Sequence, residues 1–212
     1  MIRSVLFDFG GVLTTSPFEA FARYEHEAGL PPGFIRRVNA TDPDTNAWAR
    51  LERGEHGLDG FVEAFEAEAA VLGHPIDGRA VLGLLQGDVR PEMVEAVRRC
   101  GERFATGCLT NNFAAEELPV RPEIEEIFGL FDLVLESRAL GVRKPEPAFY
   151  ELACERLGVR ATEAVFLDDL GVNLKPARAM GMHTIKVASA GQALAELAAV
   201  TGLDLPGADP RA

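Results

Sequence analysis

Four short stretches carry residues that could do chemistry together: Asp8 with Gly10 and Gly11 behind it, Thr110 with Asn111, Lys144, and the adjacent pair Asp168–Asp169. Asp8 closes the run Ser4-Val5-Leu6-Phe7, whose content reads as a buried strand. A carboxylate is costly to bury unpaired, so Asp8 belongs at the carboxyl end of that strand, where open α/β sheets bind ligands. Gly10 and Gly11 can take positive φ and turn backbone N–H groups inward, one way of holding an anion. Thr110 and Asn111 follow the apolar run 104–109, and Asp168–Asp169 follow Ala164-Val165-Phe166-Leu167. Lys144 lies in Gly141-Val142-Arg143-Lys144-Pro145-Glu146-Pro147, just beyond a strand ending near Glu136. Each has a plain alternative: Asp168–Asp169 as a helix cap, Thr110, Asn111 and Asn112 as turn residues, Lys144 as a solvated lysine. Their coincidence at one sheet edge argues for the chemical reading.

Gathered in one crevice, Asp8, Asp168 and Asp169 need a cation or a proton. Two unit charges about 4 Å apart repel by roughly 4 kcal/mol at an effective dielectric near 20. Oxygen-only ligands suit Mg²⁺ and not zinc. With Lys144 and the Thr110 hydroxyl, the metal makes a site for a phosphoryl group. Asp8 is then the nucleophile, since a carboxylate can form an acyl-phosphate.

The elements that must position these groups alternate strand and helix. Helices are expected over 91–97, 122–128, 145–157, 173–180 (Pro176 in its first turn) and 192–200. Strands are expected over 104–109, 131–135, 164–167 and 183–187. Such alternation specifies a parallel sheet covered on both faces, an α/β fold. The rhythm breaks between residues 17 and 89. Phe18, Phe21 and Ala22, then Phe61, Ala64, Phe65 and Ala69, recur at helical spacing, punctuated by Pro31-Pro32-Gly33, Asp42-Pro43, Gly57 and Gly73-His74-Pro75. This predicts four or five short helices inserted into a core made of residues 1–16 and 90–205, with 206–212 a mobile tail. Thr14, Thr15 and Ser16 fall where the first linker meets the site.

Composition narrows the partners. The chain has 212 residues, 47% apolar and 25% charged, ordinary for a globular protein. A formal charge of −12 argues against nucleic acid or an anionic membrane as partner. No apolar run of spanning length and no leader is seen, so a cytoplasmic location is expected. Cys100, Cys108 and Cys154 read as buried free thiols. His26, His56, His74 and His183 show no metal-ligand spacing.

The four stretches, in this order, resemble the motifs of the haloacid dehalogenase superfamily of hydrolases. More narrowly, Leu109-Thr110-Asn111-Asn112, the 141–147 segment and the 166–178 segment resemble the N-terminal phosphatase domain of soluble epoxide hydrolases and the related N-terminal domain of some acyl-CoA dehydrogenase family proteins. The resemblance implies a Rossmann-like parallel-sheet core with an all-helical cap inserted after the first strand. It implies catalytic roles for Asp8, Thr110 and Lys144 and a small phosphorylated substrate, in a monomer or homodimer. Mg²⁺ would be held by Asp8, the Gly10 carbonyl and Asp169, supported by Asp168 and Asn173. Gly10, Gly11, Asn111 and Arg50 are the candidate substrate contacts. Within the cap, Asn46-Ala47-Trp48-Ala49-Arg50-Leu51-Glu52-Arg53-Gly54-Glu55 resembles a recurring segment in which Trp48 and Arg50 could face substrate. The alternative is that Trp48 is cap core and the arginines are solvated.

One position departs from the pattern. Phosphatases of this superfamily carry a second aspartate two residues after the nucleophile, which protonates the leaving group; here that position is Gly10. Three readings stay open: a phosphatase with another proton source, a 2-haloacid dehalogenase, whose chemistry needs neither leaving-group acid nor Mg²⁺, or a non-catalytic binder of phosphometabolites.

Overall fold

A computed structural model describes residues 1–113 and 121–209. Five parallel strands form one sheet in the order β3-β2-β1-β4-β5. β1 is Ser4–Phe7, β2 Ala105–Thr110, β3 Leu133–Glu136, β4 Ala164–Asp168 and β5 His183–Lys186. β1 lies at the centre, paired with β2 through Phe7 and Cys108 and with β4 through Phe7 and Leu167. Successive strand residues point to opposite faces, and both faces are covered. Val5, Phe7, Val165, Leu167 and Ile185 pack against α6 (Pro91–Gly101) and α11 (Ala190–Thr201). Leu6, Leu109, Leu135 and Phe166 pack against α9 (Pro147–Leu157) and α10 (Gly171–Ala179). This two-sided burial is why the central strands β1 and β4 read as continuous apolar runs.

The segment between the first strand and α6 folds as α1 (Phe18–Glu27), α2 (Phe34–Ala40), α3 (Ala47–Glu52), α4 (Leu58–Val71) and α5 (Gly78–Gly83). It carries a hydrophobic cluster of its own, including Phe21, Phe34, Trp48, Phe61 and Phe65. The Asn46 side chain accepts from the Ala49 N–H to start α3, and Asp77 does the same for Ala80 in α5. Two linkers run side by side where this insertion leaves the core. The Thr15 N–H donates to the Asp88 carbonyl (2.8 Å) and the Arg90 N–H to the Leu13 carbonyl (2.8 Å).

Some boundaries differ from expectation for local reasons. β3 starts at Leu133, not at 131, because the Asp132 carboxylate takes the Thr106 N–H (2.8 Å), so the ladder opens at Gly107 and Leu133. α10 starts at Gly171, which puts Pro176 in its second turn and leaves the Val172 carbonyl without that N–H. α11 starts at Ala190 because Ser189 and Gln192 form a reciprocal capping box. α7 (Pro122–Phe128) spans the expected residues, and α8 (Ser137–Leu140) has no counterpart among the expected helices. Of the tail, residues 206–209 are tied down by the Asp209 N–H to the Gly191 carbonyl (3.0 Å), next to a buried Leu205. Residues 210–212 lie outside the described ones. All three cysteines are free and buried. Among the described residues, no helix is long and apolar enough to cross a membrane.

Candidate active site

The carboxyl edge of the sheet brings Asp8, Lys144, Asp168 and Asp169 together. Asp8 is the first residue beyond β1, fixed by its N–H to the Leu167 carbonyl (2.9 Å). Its Oδ1 accepts from the Phe9 N–H (2.6 Å) and pairs with Lys144 Nζ (2.7 Å). Oδ2 takes no hydrogen bond among the described residues, which leaves one oxygen anchored and one free. Lys144 Nζ also lies 2.9 Å from Asp168 Oδ2, and the lysine is 1% exposed, so the solvated alternative fails. Asp168 does not cap α10 as its N-cap. Its Oδ1 takes the Leu170 N–H (2.7 Å), and both its oxygens take Asn173 Nδ2 (3.1 and 3.0 Å). The Asn173 carbonyl in turn accepts from the Tyr150 hydroxyl (2.7 Å).

Asp169 leans against the turn after β1. The Ser16 hydroxyl donates to its Oδ2 (3.2 Å), and a Cβ placed on Gly11 would stand 2.2 Å from that same oxygen. Gly11 also has φ +76°, so this position admits glycine on two counts. Gly10 is different. It does not take positive φ, and a Cβ there would meet nothing within 4 Å. Of the two glycines expected to use left-handed geometry, one does.

The electrostatics follow from burial. Desolvation pushes the Asp8 carboxyl well above the carboxylate range, opposed by Lys144 and reinforced by Asp168 and Asp169. Asp169 is pushed up to about 6, by burial first and then by Asp168. Burial works against the charge on Lys144, but Asp168 and Asp8 outweigh it and hold the ammonium protonated. Without further positive charge, this notch therefore resists full ionisation of its acids.

The remaining expected residues divide. Thr110 ends β2, buried, with its hydroxyl free of partners among the described residues. Asn111 is not turned over to a substrate: its Oδ1 accepts from the Lys144 N–H (2.9 Å) and its Nδ2 donates to the Lys144 carbonyl (2.9 Å). Arg50 is not brought to the acid cluster. Its guanidinium reaches Glu68 Oε1 at 3.8 Å within the insertion, and its side chain is 42% exposed. Trp48 is insertion core, against the rings of Phe61 (4.6 Å) and Phe65 (6.1 Å). Arg53 is not solvated; its Nε pairs with Glu146 Oε1 (3.0 Å).

Three contributors escaped the sequence reading. Glu52 is partly buried and bonds Arg143 and Asn111. Arg143 adjoins Lys144 in the same motif, which pointed to it only as a neighbour. Arg90 fixes the Gly11 carbonyl (3.1 Å) from the second linker.

The residues present fit a hard divalent cation. One oxygen from each of Asp8, Asp168 and Asp169 lies within 4.8 Å of the others. All the donors are oxygen, and three carboxylates face one ammonium.

Comparison with known proteins shows the family and the fold. Residues 2–181 match the family model for haloacid dehalogenase-like hydrolases. The chain is 34% identical over 213 residues to acyl-CoA dehydrogenase family member 10 of Mus musculus, covering 96% of this chain but 19% of that protein. It is 34% identical over 206 residues to Phosphatase MT3486 of Mycobacterium tuberculosis (strain CDC 1551 / Oshkosh), covering 90% of this chain and 89% of that one. Among solved structures, a HAD family enzyme from Bacteroides thetaiotaomicron in complex with magnesium and inorganic phosphate shares the fold. Its TM-score is 0.59 at 18% identity, covering 88% of this chain and 94% of that chain. A dehalogenase with an intermediate complex shares the fold too, with a TM-score of 0.66 at 20% identity over 96% and 98% of the two chains.

Proposed function

The chain belongs to the haloacid dehalogenase-like hydrolases, and from that premise we propose that it is a Mg²⁺-dependent phosphatase of a small phosphorylated metabolite. The observation that carries the reading is the cluster of Asp8, Asp168 and Asp169 around the single ammonium of Lys144. A dehalogenase, which works without metal, gives no reason for that surplus of acid. The 34% identity to a protein named a phosphatase, over 89% of its length, supports the same choice.

In this reading the free oxygen of Asp8 attacks phosphorus. A carboxylate–phosphorus bond forms, the phosphorus–oxygen ester bond breaks, and the leaving oxygen takes the electron pair and then a proton. Water next attacks the aspartyl-phosphate, releasing inorganic phosphate and restoring Asp8. Lys144 holds Asp8 Oδ1 and keeps the other oxygen available. The Thr110 hydroxyl donates to a phosphoryl oxygen, and the N–H groups of the Gly10–Gly11 turn offer further donors. Mg²⁺, held by Asp8, Asp169 and the Gly10 carbonyl with Asp168 and Asn173 behind them, would screen the approach of carboxylate to phosphate. Because Gly10 stands where the family's phosphatases carry an acid, the leaving-group proton comes from water, the substrate or a group on the insertion.

One observation favours a second reading. Gly10 removes the leaving-group acid, and halide displacement needs none. Release of inorganic phosphate from phosphorylated metabolites, with and without Mg²⁺, separates the two. The phosphatase shows release that needs both Mg²⁺ and Asp8. Halide release from a 2-haloacid in the absence of metal overturns it.

A further inference from the structure

We propose that Glu52, at the end of α3 in the helical insertion, is a positioning residue for Lys144, so that seating of the insertion and setting of the catalytic ammonium are one event. Two short paths lead from its carboxylate to the lysine backbone. Glu52 Oε2 accepts from Asn111 Nδ2 (3.0 Å), and the Asn111 amide closes on both the N–H and the carbonyl of Lys144 (2.9 Å each). The same oxygen accepts from Arg143 Nε (2.5 Å), one residue before Lys144. The backbone of Glu52 is anchored as well, its carbonyl taking the Ser137 hydroxyl (2.6 Å), which also accepts from the Asn112 N–H (3.1 Å).

Docking alone does not explain this arrangement. A second pair, Arg53 with Glu146, joins the insertion to the same loop without touching Asn111 or Lys144. Glu52 instead places a carboxylate in a largely enclosed position, its side chain 16% exposed, where desolvation raises its pKa against the pull of Arg143. A buried charge is costly unless fully paired, and here each partner leads to the lysine. When the insertion lifts, Asn111 and Arg143 lose that shared acceptor and the Lys144 backbone loses the brace behind its clamp.

The kinetic consequence rests on the phosphatase reading, but the structural one does not, so the experiment reads both. Amide exchange at Lys144 and phosphate release from p-nitrophenyl phosphate with Mg²⁺ are measured for wild type, Glu52→Ala, Glu52→Gln and Arg53→Met. In Glu52→Ala the Lys144 N–H should exchange about tenfold faster, the scale of one hydrogen bond, while core strand amides such as Leu6 keep their wild-type rates. Its kcat should fall about 10- to 100-fold with KM within about threefold, the cost of misplacing a catalytic group. Glu52→Gln, which keeps an acceptor oxygen, should recover most of both. Arg53→Met should change neither. Unchanged Lys144 exchange in Glu52→Ala, a loss confined to KM, or an equal effect of Arg53→Met overturns the proposal. A wild-type protein that releases no phosphate defeats the phosphatase reading instead, and the exchange data still decide the role of Glu52.

Discussion

Restoring an acid at position 10 probes the most unusual feature of the site. The backbone permits it: Gly10 is exposed, avoids positive φ, and has nothing within 4 Å of a Cβ. Gly10→Asp should therefore fold with stability within about 1 kcal/mol of wild type. General acid–base catalysis is worth about 10²–10⁴-fold, or about 3 to 5 kcal/mol of barrier. The same exposure sets where in that range the gain falls. A carboxyl facing water keeps an ordinary pKa near ~4 and is mostly ionised at pH 7, so the gain belongs near the lower end, about 100-fold for an alkyl phosphate. It should be small, within about threefold, for the first step with p-nitrophenyl phosphate, whose leaving group departs without a proton. Pre-steady-state release of the leaving group with Mg²⁺ measures that step, and Asp8→Asn in the Gly10→Asp background leaves only the rate that does not pass through Asp8. A folded Gly10→Asp protein with an unchanged alkyl phosphate rate would refute the reasoning, because it would mean that another group already supplies the proton.

Three further outcomes follow from the charges in the notch. Asp8→Asn should abolish phosphate release while leaving metal-free thermal stability equal or higher, since it removes one of three crowded acids; a large drop in melting temperature would show that Asp8 serves the fold. Lys144→Met should cost about 3 kcal/mol at pH 7, the scale for breaking a buried pair, with a smaller loss at pH 5 where Asp8 can take up a proton; denaturant titration at both values checks this. Asp169 binds its proton more tightly folded, at about 6, than at its ordinary 3.8. Its contribution to metal-free stability is thus full below about pH 4 and lost as the pH rises through 6, up to about 3 kcal/mol. Melting curves across this window should show that decline without Mg²⁺ and its reversal with Mg²⁺, and a flat metal-free profile counts against it.

The sheet end was legible because it depends on local pattern plus one topological rule. Apolar runs ending in Asp8, Thr110 and Asp168, separated by helices, must share an edge, and the acids there had to be compensated. Element ends set by side chains were less visible. The start of β3 depends on Asp132 reaching across to Thr106, a contact between residues 26 apart in sequence. The Ser189–Gln192 box, by contrast, was readable as a capping pattern and moves the start of α11 by two residues. In the insertion, sequence identifies helices but not which face meets the core. Arg50 and Glu52 are two residues apart on α3, about 200° around the helix. With Glu52 turned to the 141–147 loop, Arg50 is carried away to Glu68. A charged residue on a short helix reads as a solvated face, so nothing local marked Glu52 as paired beneath the insertion.

The charge count also separates the work of the insertion from the work of the metal. Around the notch stand four carboxylates (Asp8, Asp168, Asp169 and Glu52) and two cations (Lys144 and Arg143). Glu52 and Arg143 satisfy each other, so the deficit of two positive charges belongs to the three aspartates whether or not the insertion is seated. A divalent cation answers that deficit. Mg²⁺ affinity should therefore be nearly independent of Glu52, even though the reaction rate depends on it. In Glu52→Gln, calorimetric titration with Mg²⁺ alone should give a dissociation constant within about threefold of wild type, the modest scale for a charge change already paired in place. A tenfold or larger shift would mean that the insertion and the metal respond to the same charge, and that closing the insertion helps to create the cation site it covers.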